Sequence, residues 1–133
     1  MSFSGDLALF AVLAVDKIQK VKRLASFDVY SNIINSTPVD TGALRSNWVV
    51  SNNRPFDGTV DAISTRDTAL NAAERVLDQN LPHQSVFITN NLPYAARIEY
   101  DGYSSFAPDG MVRINIMRWP QLVAHRVRQV SRE

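Results

Sequence analysis

Thr37-Pro38-Val39-Asp40-Thr41-Gly42-Ala43-Leu44-Arg45-Ser46-Asn47-Trp48 ends one regular element and begins another. Upstream, from about residue 4 to 35, there is no proline and, after Gly5, no glycine, and Leu7, Phe10, Leu13, Ile18, Val21 and Leu24 recur at helical spacing. That predicts one long helix with Ser4 as N-cap and Asp6 in the first turn, where a negative charge meets the helix dipole favourably. Thr37-Pro38 stops it, because proline lacks the N–H that a continuing helix needs. Downstream, Leu44, Ser46, Trp48 and Val50 alternate with Arg45, Asn47, Val49 and Ser51, the two-residue period of a strand. Between the two, Gly42 permits positive φ or close backbone approach, while Asp40 and Thr41 offer oxygens to free N–H groups of the turn.

A helix of that length extends on the order of 45 Å, more than a compact domain of this size covers. Leu9, Phe10, Val12 and Leu13 make its first third apolar nearly all round, whereas Lys17, Lys20, Lys22 and Arg23 mark its middle. Two readings follow. Either the helix bends or breaks near Ala25-Ser26 and folds onto its own core, or its apolar end, with Leu9, Phe10 and Leu13, packs against another subunit.

Asn52-Asn53-Arg54-Pro55 and Asp57-Gly58 break regular structure, so residues of about 52–66 are expected to form a flexible loop, with Arg54 and Phe56 as its contact candidates. Asp67 caps a helix in which Leu70, Ala73, Val76 and Leu77 share a face, ending at Asn80-Leu81-Pro82. A strand is predicted from Ser85 to Thr89, and a short helix from Pro93 to Tyr100, stopped by Asp101-Gly102. Val112, Ile114 and Ile116 alternate with polar neighbours as a third, half-buried strand would. A last helix starts at Trp119-Pro120, with Leu122, Val123, Val127 and Val130 inward and Arg126, Arg128 and Arg132 outward. The sum is α+β: a long N-terminal helix, a small mixed or antiparallel sheet and a C-terminal helix in a single domain, 1–133.

The 133 residues suffice for a core without staples. Charge excludes more than it suggests, because 14 Lys and Arg against 13 Asp and Glu leave +1, too little for the whole molecule to draw in nucleic acid. The absence of cysteine removes thiol chemistry and disulfides. The apolar run Leu7 to Val15 is far short of the roughly 20 residues of a membrane span, and the Asp6 before it and lysines after it are the reverse of a secretory leader. His83 and His125 stand without a second ligand at metal spacing. Glu99 and Asp101, two apart at a helix end, do not share a face as paired catalytic acids would. No nucleophile motif frames any serine, so neither enzyme nor cofactor is expected.

The opening stretch is answered by Asn90-Asn91-Leu92-Pro93-Tyr94-Ala95 and by Ala107-Pro108-Asp109-Gly110-Met111. Together they resemble a family of neck and tail-completion proteins of long-tailed bacteriophages, the minor tail or head-to-tail joining components. In that family a long N-terminal helix leads to Pro-Val-Asp-Thr-Gly-x-Leu-Arg, matched by Pro38 to Arg45. A strand then enters Asn-x-x-Pro-Tyr-Ala with a following acid and glycine, matched by Asn90, Pro93, Tyr94, Ala95, Glu99 and Gly102. Ala-Pro-x-Gly-Met closes the pattern, matched by Ala107, Pro108, Gly110 and Met111. Two departures concern loop lengths: Tyr100-Asp101 separates Glu99 from Gly102, and residues 52–66 exceed a simple turn. The resemblance implies a structural virion protein, assembled in the host cytoplasm, that forms a ring, a hexamer matching the tail tube, at the head-tail junction. Its partners would be copies of itself, neck proteins on the connector side, the tail tube or terminator protein, and DNA in the lumen.

Within that frame Pro38, Asp40, Thr41, Gly42, Pro93, Pro108 and Gly110 read as turn-builders. Arg45 either pairs with Glu99 inside the subunit, the preferred reading, or reaches a neighbour's carboxylate. Trp48, Tyr94 and Trp119 are expected in the core. Phe106, in a loop, is the aromatic candidate for an intersubunit anchor. Arg113, Arg118, Arg126, Arg128 and Arg132 face one acid, Glu133, in the last stretch of chain, which sets up the rival function. That rival is a small DNA-binding module, with Arg126, Arg128 and Arg132 facing DNA.

Overall fold

The computed structural model describes residues 3–101 and 104–133. The element order is α1 (Phe3–Ser36), α2 (Ala43–Ser46), β1 (Val49–Asn52), α3 (Arg66–Asp78), β2 (Val86–Thr89), α4 (Pro93–Tyr100), α5 (Arg113–Ile116) and α6 (Trp119–Ser131). In the first part of α1 side-chain surroundings are described for Gly5 and from Ala14 onward, so the expectations placed on Ser4, Leu9, Phe10 and Leu13 lie outside the described residues, as does that on Gly102.

α1 is the spine, an unbroken helix about 51 Å long at the usual rise. Ala25, Ser26, Val29, Tyr30, Ile33, Ile34 and Thr37 are buried along it, a helical stripe that continues straight through Ala25-Ser26. The helix is therefore not broken there, and from Ala25 onward it packs on the chain's own core. α3 runs antiparallel to α1: Arg66 Nε donates to Asn35 Oδ1 at 2.7 Å near one end, and Gln19 Nε2 donates to the Asn80 carbonyl at 2.6 Å near the other. α5 and α6 run antiparallel on another side. Asn115 Nδ2 meets Ser36 Oγ at 3.0 Å, Arg126 meets Asp28, and Lys20 meets Glu133.

The sheet is a two-stranded antiparallel pair, Val50 opposite Ile88 and Asn52 opposite Val86. Val50, Val86 and Ile88 join Tyr30, Ile33, Ile34, Leu44, Trp48, Leu77, Ile98 and Met111 in the core. Trp48 lies under it with its indole N–H on Thr37 Oγ1 at 2.9 Å, while the Tyr30 hydroxyl donates to the Trp48 carbonyl at 3.0 Å. Burial pushes the Tyr30 phenol up to about 12. Asn80, fully buried, also accepts from Arg23 and donates to Asn52 Oδ1, so a polar knot fastens α3 to α1 and β1.

Of the predicted strands, one is helical in its first half and another is helical throughout. Residues 44–51 split into α2 and β1, because Ser46 N and Oγ both bond the Gly42 carbonyl, at 3.0 and 2.7 Å, and close a helical turn. Leu44 and Trp48 are four apart, a spacing that suits either period. Val112 to Ile116 is not a strand either: its N–H groups are capped by Glu99, as described below, and it coils into α5. The cap of α3 is Thr65, whose Oγ1 accepts from Thr68 N at 3.1 Å, rather than Asp67. Tyr94 and Trp119, expected in the core, are 39% and 38% exposed. Val127 is 47% exposed, whereas Val130 on the same helix is buried.

Candidate functional site

The three signature stretches are joined by hydrogen bonds. Gly42 has φ +91°, the conformation that its expected role required, and a Cβ there would press on Ile63 Cγ2 at 3.1 Å. Thr41 Oγ1 accepts from Ala43 N at 3.2 Å. Asn90 Nδ2 then donates to the Leu44 carbonyl at 2.9 Å, tying the second stretch to the first, and its own Oδ1 accepts from Leu92 N ahead of Pro93.

Glu99 ties the second stretch to the third. Its carboxylate is buried, with Oε1 accepting from Met111 N at 2.8 Å and Val112 N at 2.6 Å. Oε2 accepts from Arg113 N at 3.2 Å and Arg113 Nε at 3.0 Å. Arg113 also donates to the Glu99 carbonyl, and its guanidinium stacks over Tyr100 at 5.0 Å. Burial acts to raise the pKa of this carboxyl, but the N–H groups of Val112 and Met111 and the Arg113 guanidinium outweigh it and hold the group below its usual 4.5. Gly110 makes this possible: its φ is +90°, and a Cβ there would lie 2.8 Å from both Cδ and the carbonyl oxygen of Glu99 and closer still to Oε2.

Arg45 is thus not the partner of Glu99. Its Nη2 donates to the Ser64 carbonyl at 2.9 Å, on the side of the 52–66 segment. That segment is tied down in several places. Asn47 Nδ2 and Oδ1 bond Val60 O and N at 3.0 and 2.7 Å, Ser46 Oγ accepts from Ser64 N, and Asn91 Nδ2 donates to the carbonyls of Phe56 and Gly58. Arg54 is exposed and Phe56 half-buried.

Pro38 to Leu44 form one wall of a cleft of about 490 Å³, and Tyr94, Ile98, Ser104 and Ser105 the other. Exposed apolar groups stand in and beside it: Val39 at 55%, Tyr94 at 39%, and Phe106, next to Ser105, at 65%. Asp40 and Thr41 are exposed, and Pro108 lies exposed in the third stretch. The cleft has the make-up of a docking surface, apolar groups in a frame of fixed turns. Asn90 was already among the signature residues, but sequence reasoning gave no role to Asn47 and Asn91, because an amide that bonds a distant carbonyl leaves no periodic trace.

The basic C-terminal residues are divided by the fold. Arg126 donates from Nε and Nη2 to Asp28 at 2.7 Å each, which raises its pKa, and it is turned to α1 rather than outward. Arg113 is held by Glu99. Arg128 and Arg132 are exposed. Among the described residues no group of His, Asp and Glu is placed to hold a metal ion, and no helix is long and apolar enough to cross a membrane.

No match was found among curated proteins or solved structures. The model of the family described as "Bacteriophage HK97-gp10, putative tail-component" matches residues 8–100, more than two thirds of the chain and the whole of the first two signature stretches. The chain therefore belongs to the HK97-gp10-like family of phage tail components.

Proposed function

We propose that this tail component is a neck protein that closes with copies of itself into a ring, a hexamer, at the head-tail junction. It joins the tail tube or terminator protein to the neck proteins on the connector side, and DNA passes through its lumen. Its work is structural, with no reaction and no cofactor, in a virion assembled in the host cytoplasm. Contacts between copies fall on the N-terminal part of α1 with Leu9, Phe10 and Leu13, on Arg54 and Phe56, and on Phe106.

One observation carries the reading. The motif cleft begins two residues past the end of α1, whereas a second apolar concavity is built on Ile18 and Val21. About 25 Å of helix lies between them. A closed ring needs two different surfaces on each subunit, facing two different neighbours, and surfaces set apart on a rigid spine meet that need. The rival reading, a free-standing DNA module, loses Arg113 and Arg126 to internal partners. Exposed Arg128 and Arg132 suit sequence-independent contact with DNA in a lumen.

The test is the phage lacking this chain, viewed by electron microscopy beside a reconstruction of the complete virion. Heads and tails that accumulate unjoined, with a ring of this chain between them in the complete particle, are expected. Normal joining, or solitary copies away from the junction, would overturn the proposal.

A further inference from the structure

A groove of about 310 Å³ lies between α1 and α6, lined by Ile18, Val21, Val123, Val127 and Val130 with Lys17 at its rim. Ile18 is 68% and Val127 47% exposed, large apolar groups left facing outward on rigid helices. Its one charged lining residue is Lys17, a base. Arg128 follows Val127 and is exposed, whereas Glu133 is paired with Lys20, and Asp16 lines a different cleft with Gln19, Arg23 and Asp78.

The complementary shape and charge occur elsewhere on the same chain. Residues 56–63 carry two exposed acids, Asp57 and Asp61, and no base, and end in Ile63, 56% exposed. The bonds from Asn47, Ser46 and Asn91 hold this segment in place, so presenting it to a partner carries little ordering entropy. It cannot fill its own groove. Arg66, three residues after Ile63, is bonded to Asn35, and the 17 residues from Asn35 back to Ile18 span about 25 Å of α1.

We infer that the Ile63 knob of one copy seats in the α1–α6 groove of the next, with Asp57 and Asp61 facing its Lys17 and Arg128. The inference rests on the ring reading above and names its contact. Because knob and groove are different surfaces, each copy offers one of each, and the contact propagates from subunit to subunit.

The absence of cysteine makes the test clean. Ile18→Cys and Ile63→Cys, both exposed positions, are placed in one chain, folding is checked by circular dichroism, and the concentrated protein is oxidised. A disulfide needs Cα atoms within about 7 Å, so bonding within one copy is excluded. The double variant should give a ladder of linked oligomers, and each single variant nothing beyond a dimer. Lys17→Glu should remove most of the ladder, and Asp61→Lys in the same chain should restore it. In parallel, the unaltered chain is treated with an amine-reactive cross-linker. Lysine-linked oligomers without a cysteine ladder would overturn this contact and leave the ring standing; no oligomers by either route would overturn both.

Discussion

Glu99→Gln should destabilise the chain by about 2 kcal/mol at neutral pH, a figure that follows from the four bonds its carboxylate receives. Gln keeps one carbonyl oxygen, enough for the N–H groups of Met111 and Val112. Its amide nitrogen, a donor, then faces the N–H and Nε–H of Arg113, so two charge-assisted bonds are lost. Each contributes about 1.5 kcal/mol when buried, and the outward half of Arg113, 52% exposed, is discounted for water. At about 4 °C per kcal/mol for a chain of this size, Tm should fall by about 8 °C. The pH dependence sharpens the test. The folded state holds this carboxyl below the usual 4.5, so its contribution is complete above that pH and is lost as pH falls through the lower folded value. Wild type and variant should therefore converge in acid. Gly110→Ala should cost about 3 kcal/mol by the same route, because φ is +90° and the new methyl would displace Glu99. Thermal unfolding followed by circular dichroism at pH 7 and pH 3.5 reads both. A Glu99→Gln protein within about 0.5 kcal/mol of wild type at pH 7, or a gap that does not shrink in acid, would refute the capping role assigned to Glu99.

Tyr30→Phe should cost about 1 to 2 kcal/mol, since it strands the buried Trp48 carbonyl, and chemical denaturation should show a lower midpoint with an unchanged slope. Arg126→Met should cost about 1 to 2 kcal/mol through the loss of its paired bonds to Asp28, and Asp28→Asn combined with it should add little, a coupling that a double-mutant cycle measures. Val39→Ser, Tyr94→Ser and Phe106→Ser together should leave Tm within about 2 °C, since all three are exposed, yet abolish joining of heads to tails in a complementation assay. Normal complementation by that triple variant would remove the motif cleft from the interface.

α1 was legible because its signal is repeated along its length: an apolar stripe, no breaker, and Thr37-Pro38 at the end. α3, α4 and α6 were legible for the same reason, with Pro93 and Pro120 in their first turns. The segments around Leu44 and Ile114 misled because a few residues carry a period poorly. Leu44 and Trp48 fit two periods at once, and the alternation of Val112, Ile114 and Ile116 gave no hint of a carboxylate arriving from Glu99. The same physics explains the misassigned arginine. Arg45 read as the partner of Glu99 on charge alone, whereas the partner is Arg113, which the Gly110 turn delivers to the carboxylate. Tyr94 and Trp119 failed as core residues because a small sheet of two strands gives too little surface to cover every aromatic.

The division of labour among the signature residues bears on why turn-formers, rather than reactive groups, mark this chain. Gly42, Gly110, Asn90 and Glu99 face inward or along the backbone and hold three chain reversals in fixed relation. Val39, Tyr94 and Phe106 are displayed by that frame and have little to do with holding it. In the proposed ring such a frame is needed, since closed geometry multiplies any error in one subunit around the whole circle. α1 supplies the other half of the specification. The groove lies on α1 and the cleft begins two residues past its end, so the helix, rising about 1.5 Å per residue, sets the distance between them. A loop could join the two surfaces as cheaply but could not hold that distance, which is reason enough for so long a helix in so small a domain.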